Sequence, residues 1–385
     1  MRARIGHIVP TDRIAFLMLR SRLTRLREAG FEVGVICGEK GYGDRLREAG
    51  LEILHIPFAR EIAPLTDLRC AAALFRTLRR EGFDIVHSHN PKGGLLGPAV
   101  GKMARAAAVV HTVHGFLFNE NSRGAHNLLA HGAERWTARW CDHLFFQSAE
   151  DFAYARAHRF KAPGRLHLIG NGIDERRFDR GLHPRGREDK RRELGLEPGH
   201  LVVGMVGRLV REKGFEEFFA MAGRIAREFS QARFLVVGIS EADDQWDAVD
   251  PGELIRRHGI ADRCIVLEQR SDMPELYLSM DLAVLPSYRE GIPRALLEAA
   301  AMGVPIAASD IRGCREVIVD GETGLLFALK DVDAFAGAVR SLLRDPEKRR
   351  RLGEAGRRRV FGNYTEGRTA ARLIACYEEI LEGKG

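Results

Sequence analysis

Residues 287–310 read SYREGIPRALLEAAAMGVPIAASD. An apolar run, Leu282–Leu285, precedes them and ends at Pro286-Ser287. The spacing predicts a buried strand, a short loop carrying Glu290-Gly291, a helix over Arg294–Met302 with Pro293 at its first turn, a stop at Gly303, and a second buried strand over Val304–Ala308. One carboxylate, Glu290, then lies on the strand-to-helix loop. Another, Glu298, lies eight residues on, inside the helix. Between them the N–H groups of Gly291, Ile292, Arg294 and Ala295 open the helix, and a helix start preceded by glycine binds anions. A phosphate flanked by hydroxyls that need carboxylate acceptors fits such a loop, which describes a nucleotide-sugar. Two surface or capping glutamates on an ordinary strand–helix–strand unit fit it equally.

Working outward, the same alternation fills the chain. Strands at Arg4–Val9, Phe31–Cys37, Leu51–Ile56, Asp84–His87, Ala108–Thr112, Leu144–Gln147 and Leu166–Ile169 alternate with helices in the first half. The pattern restarts at Val202–Val206. Strands alternating with helices imply parallel, doubly wound sheets with right-handed crossovers. We therefore expect an α/β chain of two Rossmann-like domains, 1–175 and 200–385. A polar connection, 176–199, joins them, and a helical tail from Val332 belongs to the second. Ligands in such sheets bind at the carboxyl ends of the strands, so a cleft between the two halves is expected to hold the substrates.

The 385 residues are 45% hydrophobic, enough for two globular cores. No signal peptide and no apolar run of membrane-spanning length is visible. The six cysteines are scattered with no CxxC pair, which argues against a structural zinc site and fits a reducing cytoplasm. Residues 1–175 carry 25 Lys and Arg against 18 Asp and Glu, so the whole net charge of +7 falls on the first half. That half suits an anionic partner such as a bilayer, a lipid diphosphate or nucleic acid. The helix near Ile14–Ala29 interleaves Ile14, Leu17, Met18, Leu23 and Leu26 with Arg13, Arg20, Arg22, Arg25 and Arg27, and Leu65–Glu81 adds Arg69, Arg76, Arg79 and Arg80. An exposed apolar stripe between arginines would dock on an anionic bilayer; packed on the sheet, it would leave only a solvated basic face.

The second domain opens VVGMVGRLVREKGF. Arg208 leaves the first strand, and Lys213-Gly214 follows five residues later. A guanidinium fork and an ammonium point charge at one strand end can grip a diphosphate. Gly204 and Gly207 lack the dinucleotide spacing, and no GK[ST] is present.

Taken together, Arg208, Lys213-Gly214, Pro286-Ser287 and Glu290-Gly291 with Glu298 resemble the signature of the retaining family-4 glycosyltransferases of the GT-B fold, in the bacterial branch that builds capsule, exopolysaccharide and lipid-linked glycans. The resemblance spans nearly the whole chain and includes Gly170-Asn171-Gly172-Ile173-Asp174 and Glu322-Thr323-Gly324-Leu325-Leu326. It implies that Arg208 and Lys213 neutralise the donor diphosphate and that the Gly291 and Ile292 amides cap a phosphate. It further implies that Glu298 accepts the ribose hydroxyls, that Glu290 holds the transferred sugar, and that His114, in HTVHGF after the fifth strand, contacts that sugar on its reactive side. The expected activity is transfer of a hexosyl or N-acetylhexosaminyl unit from a nucleoside-diphosphate donor, a UDP-sugar before others, with retention. The acceptor is a glycan or a polyprenyl-diphosphate-linked glycan, at the inner face of the cytoplasmic membrane. No metal, no cofactor and no nucleic-acid partner is expected.

Two features depart from that signature or imitate another. Pro10-Thr11-Asp12-Arg13 stands where many members carry a glycine pair, which weakens acceptor analogies. Asp331-Val332-Asp333 imitates a metal-binding DxD, but opens a helix where aspartates cap. A metal cluster drawn from His87, His89, His111 and His114 lacks carboxylate or cysteine partners. A sugar-nucleotide 2-epimerase and a non-catalytic sugar-binding subunit are the competing readings of the same architecture.

Overall fold

The computed structural model describes residues 3–58, 64–116, 118, 125–239, 247–268 and 270–383. It divides into two compact units, Met1–Asn171 with Glu366–Gly385, and Gly172–Thr365.

The first unit is built on seven strands: β1 (Arg4–Thr11), β2 (Glu32–Gly38), β3 (Glu52–His55), β4 (Ile85–His89), β5 (Ala108–Val113), β6 (His143–Phe146) and β7 (Leu166–Leu168). They pair in the order β3-β2-β1-β4-β5-β6-β7, all parallel. The second holds six: β8 (Leu201–Arg208), β9 (Ala232–Ile239), β10 (Cys264–Leu267), β11 (Leu282–Leu285), β12 (Ile306–Ser309) and β13 (Leu325–Phe327), in the order β10-β9-β8-β11-β12-β13, again parallel. The central strands are covered on both faces, so β11 and β12 are buried at every residue, as continuous apolar runs of parallel sheets require. Helices supply the cover through faces of period 3.6. Phe215–Glu228 lays Phe215, Phe218, Phe219, Met221, Ala222 and Ile225 into the second core.

Alternation along the strands divides the first core. Ile5, Val9 and Val110 face the helices over 12–28 and 366–382, with Leu19, Leu23, Leu26, Leu373, Tyr377 and Ile380. Ile8, Ile36 and Val86 face the helices Pro64–Glu81 and Asn90–Met103. The helix over 12–28 is interrupted by a π-helical turn, Ala15–Leu19.

Three expectations are corrected here. The helical tail is not all in the second domain, because Glu366–Glu382 packs on the first sheet: Leu373, Tyr377 and Ile380 recur at helical spacing and fill its core. The segment 176–199 is no free linker. Its helix Gly186–Glu193 lies against Met273–Ser279, with Arg187 Nη2 2.7 Å from Asp281 Oδ1 and Lys190 paired to Asp272, so its basic composition reflects ion pairs. The arginine-rich stripe is not a free surface either: Leu23 and Leu26 are fully buried, and Arg22 is 2% exposed. Large apolar side chains are exposed instead at Leu65 (78%) and Leu68 (69%), and at Leu128 (74%), Leu129 (73%) and Trp136 (50%).

Candidate functional site

In the second unit, two loops at the carboxyl ends of β8 and β11 are bolted together. After Arg208 the chain makes a turn, Arg211–Lys213, that ends at Gly214 with φ +79°. A Cβ at Gly214 would overlap the Pro286 carbonyl oxygen, so only glycine lets the two loops touch there. Tyr288 N–H donates to the Glu212 carbonyl at 2.9 Å, Ser287 Oγ donates to the same oxygen at 3.2 Å, and Arg289 Nε lies 2.7 Å from Glu212 Oε1. That clamp delivers Lys213 to Glu290: Nζ stands 2.5 Å from Oε1, with side chains 17% and 10% exposed.

Beyond Glu290, the helix Arg312–Val317 approaches so closely that a Cβ on Gly313 would overlap the Gly291 and Glu290 carbonyl oxygens. Because the peptide is planar and trans, N–H groups point opposite to those carbonyls. Neither the Gly291 nor the Ile292 N–H donates to any described residue. Arg208 is exposed, and its guanidinium has no carboxylate among the described residues. The structure thus gathers one ammonium and two unspent amides on one loop pair, with Arg208 at the end of the neighbouring strand.

Glu298 sits in the helix Arg294–Ala301. It accepts from Tyr277 Oη at 3.2 Å on Oε2, and Arg294 Nη2 lies 3.7 Å from Oε1. Burial pushes its carboxyl above the ordinary value, against the pull of the Arg294 and Arg177 charges. The buried Tyr277 phenol is pushed up as well, by burial and by the carboxylate beside it, so it stays a neutral donor. Spare lone pairs on Glu298 can accept two hydroxyls.

In the first unit, period 2 sorts the histidines. His7 pairs in register with His87, and His89, Thr112 and His114 follow at even spacing on that face, while Ser88 and His111 point the other way. His7 Nδ1 lies 2.9 Å from His89 Nε2, and His89 Nδ1 lies 3.1 Å from His114 Nε2. His87 is held by Tyr377 Oη on Nδ1 and by Thr112 Oγ1 at 2.6 Å on Nε2. His111 Nδ1 meets Ser88 Oγ at 2.9 Å. Burial holds all five imidazoles well below the usual range, His7 and His114 to about 3 and His111 to about 4.

Those positions change the metal question. His111 is on the opposite face from His87, His89 and His114. The compact group is instead His7, His87 and His89, whose nearest nitrogens lie within 4.8 Å of one another. Both nitrogens of His87 are already hydrogen-bonded, and His7 and His89 are bonded to each other, so this trio is engaged in protein contacts. Asp331 caps the helix Val332–Arg344, accepting from Ala334 N–H at 2.8 Å, and Asp333 pairs with Arg224.

Sequence reasoning missed His7, Tyr377 and Glu366, and placed Arg22 only among the arginines of a basic face. Arg22 is buried and bidentate to Glu366 at 3.1 Å through Nε and Nη2, and Nη2 also donates to Asn171 Oδ1 at 3.1 Å. A histidine at the centre of an apolar strand, Ile5-Gly6-His7-Ile8-Val9, was the one available signal.

Comparison with known proteins gives the family and the fold. Residues 186–359 match the family model described as "Glycosyl transferases group 1", and residues 19–172 match "Glycosyl transferase 4-like domain". The chain is 29% identical over 313 residues to the UDP-Gal:alpha-D-GlcNAc-diphosphoundecaprenol alpha-1,3-galactosyltransferase of Escherichia coli, covering 80% of this chain and 79% of the relative. It is 30% identical over 309 residues to the glycogen synthase of Mycobacterium tuberculosis, covering 78% and 70%. Sucrose-phosphate synthase from Thermosynechococcus elongatus superposes with a TM-score of 0.83 at 22% identity, over 99% of this chain and 100% of that one, and shares the fold.

Proposed function

The chain belongs to the family-4 glycosyltransferases of the GT-B fold, and from that premise we propose that it moves a hexosyl or N-acetylhexosaminyl unit from a UDP-sugar to a polyprenyl-diphosphate-linked sugar or glycan, with retention and without a metal. The observation that carries this reading is the Lys213–Glu290 pair beside the unspent Gly291 and Ile292 amides. A diphosphate offered to Lys213 competes with the carboxylate for the ammonium, and Glu290 is then free to accept hydroxyls of the transferred sugar. Arg208 closes on the same diphosphate, and Glu298 accepts the ribose hydroxyls.

Breaking the glycosidic bond builds charge on the departing diphosphate. Two fixed cations and two oriented amides stabilise that charge where a metal would otherwise be needed. Activity is expected to survive a chelator. No carboxylate is offered as a covalent nucleophile, so the acceptor attacks from the face the diphosphate leaves, and a phosphate oxygen takes the acceptor proton. His114 and Glu290 orient the sugar during that step.

The lipid-linked acceptor draws support from the first unit. No helix among the described residues is long and apolar enough to cross a membrane. The helices Pro64–Glu81 and Ala125–Trp140 flank Asn90–Met103 on one side of the first sheet, and their amino ends, carrying the exposed leucines, lie at the carboxyl edge of the strands. An apolar rim among arginines suits an enzyme resting on the inner face of the cytoplasmic membrane.

The deciding experiment incubates the protein with UDP-, GDP- and ADP-sugars and lipid-linked acceptors and scores nucleotide release. Release from a UDP-sugar that requires acceptor, with an α-linked product from an α-linked donor, is expected. Interconversion of the nucleotide-sugar without acceptor would make it an epimerase.

A further inference from the structure

Pro10-Thr11-Asp12-Arg13 stands in place of a glycine pair, and its aspartate ties two loops together. Asp12 is fully buried. Its Oδ1 accepts Lys40 N–H at 2.8 Å, and its Oδ2 accepts Tyr42 N–H at 3.0 Å. A buried carboxylate costs stability unless donors satisfy it, and here two backbone amides do. The bonds fix the loop after β2 against the start of the helix over 12–28. Tyr42 is thereby set beside Phe16, with ring centroids 5.3 Å apart. Phe16 rides on the π-helical turn Ala15–Leu19, a rare geometry that recurs at functional sites.

Two arginines close on this aromatic pair. Arg20 Cζ lies 4.6 Å from the Phe16 centroid, and Arg45 Cζ lies 5.7 Å from Phe16 and 5.5 Å from Tyr42. Neither has a carboxylate partner among the described residues, although Arg47 on the same short helix as Arg45 is paired with Asp44. Phe16, Tyr42 and Arg20 are half-buried and Arg45 is exposed, so the cluster opens to solvent. A ring holds a guanidinium by its π face and leaves the N–H donors along the guanidinium edge unspent. Two such cations on one aromatic pair repel each other, and a shared anion removes that repulsion. Guanidinium forks match the paired oxygens of a phosphate.

We propose that Phe16, Tyr42, Arg20 and Arg45 form the subsite for the diphosphate of the lipid-linked acceptor. This rests on the acceptor reading given above and deepens it. The cluster lies at the carboxyl ends of β1 and β2, the edge at which ligands bind in such sheets. Only β4 separates β1 from β5, so two interstrand spacings, about 10 Å, run from the end of β1 to the loop that carries His114. The first sugar of the acceptor fits in that interval, with its diphosphate on the arginines and its attacking hydroxyl toward the transferred sugar.

The test is calorimetric and uses the full chain saturated with UDP, so that the donor site is filled. The probe is a soluble sugar diphosphate bearing a short prenyl chain, titrated beside the corresponding monophosphate. The diphosphate should bind, more weakly as salt rises, and the monophosphate should bind less well. Arg20→Gln and Arg45→Gln should each weaken the diphosphate roughly tenfold to hundredfold and reduce its preference over the monophosphate. Phe16→Leu, which removes the ring beside both guanidinia, should weaken it less. Arg27→Gln, on the same helix but beside Gly50, should change nothing. UDP affinity should stay at the wild-type value in all four. A double variant, Arg20→Gln with Arg45→Gln, that folds and keeps the wild-type affinity for the probe would overturn the proposal, and so would a wild-type protein that binds no probe. A double variant that loses anionic vesicles but keeps the soluble probe would give the two arginines to the bilayer, and the proposal would fall as well. Absence of transfer from every nucleotide-sugar would instead remove the glycosyltransferase reading, and the titration would still decide whether the cluster holds a prenyl diphosphate.

Discussion

Lys213 Nζ and Glu290 Oε1 stand 2.5 Å apart although 77 residues separate them, and both side chains are largely covered. The pair holds each group in place until a diphosphate competes for the ammonium. Lys213→Ala should therefore weaken UDP affinity by the loss of a charge-assisted contact, about 1.5–3 kcal/mol. Glu290→Gln should bind UDP as tightly as wild type or more tightly, since the competitor is gone, while transfer drops. Calorimetry and turnover on the two variants check this; equal losses of UDP affinity in both would place the diphosphate elsewhere.

Glu298 offers a second handle on the donor. Removing its carboxylate in Glu298→Ala takes away the acceptor for two hydroxyls, and UDP affinity should fall by about 1–3 kcal/mol. Tyr277→Phe removes one donor to the same carboxylate and should cost less. The comparison of UDP with uridine-free diphosphate separates this site from Lys213: the Glu298 variant should lose nothing toward diphosphate alone.

The doubly wound plan was legible because parallel strands are continuous apolar runs, as Leu282–Leu285 shows, and because glycine follows several helices, as Gly30, Gly259 and Gly303 do. Spacing put Lys213 and Glu290 on loops after strands and Glu298 inside the following helix, and the structure has them there. What the spacing hid was long-range pairing. Arg22 looked like one of five solvated arginines, yet it meets Glu366 across 344 residues, on the last helix of the first unit. Leu23 and Leu26 fit an exposed stripe as well as a core, and only the last helix packing over them decides it. His7 was overlooked because its partner, His89, comes from another strand, and Tyr377, which holds the neighbouring His87, comes from the far end of the chain.

The Arg22–Glu366 pair carries a stability prediction. Both side chains are 2% or less exposed, so deleting Arg22 takes a bidentate cationic partner from a buried carboxylate. Arg22→Met should destabilise the protein by about 3–5 kcal/mol, and Arg22→Met with Glu366→Leu should recover most of that. Urea unfolding of the single and double variants measures it. A single variant as stable as wild type would show that Glu366 is hydrated.

Acid should weaken the first unit. His7, His87, His89, His111 and His114 are held neutral in the fold, their affinity for protons depressed to about 3 at His7 and His114 and about 4 at His111. Unfolded histidines take up protons near 6.5. Stability is therefore full above pH 6.5 and falls as pH drops from there toward 4, because only the unfolded chain binds the protons. At pH 5.5 each histidine costs on the order of 1 kcal/mol. Thermal melts at pH 7.5 and 5.5 should show a marked loss, and the His7→Leu protein should lose less than wild type.

Membrane docking is expected on a different face from the arginine-rich helix over 12–28. Leu65 and Leu68 are 78% and 69% exposed, Leu128 and Leu129 are 74% and 73% exposed, and Trp136 is half exposed. Arg69, Arg76 and Arg139 are exposed on the same two helices. Each arginine near an anionic surface contributes about 1 kcal/mol, screened by salt, and each leucine that leaves water contributes up to about 1.5–3 kcal/mol. The helix over 12–28 packs on the other face of the sheet, so Arg27 is a control. Flotation should find the protein on anionic vesicles at low salt and not on zwitterionic ones. Changing Leu65, Leu68, Leu128 and Leu129 to glutamine should abolish it, Arg69→Gln with Arg76→Gln and Arg139→Gln should steepen its loss with salt, and Arg27→Gln should leave it alone. Turnover on a soluble acceptor analogue should be unchanged in the leucine variant while turnover on vesicle-borne acceptor falls. If Arg27→Gln released the protein and the leucine changes did not, the docking face would be the one first expected from the arginine stripe, and the exposed leucines would have another partner.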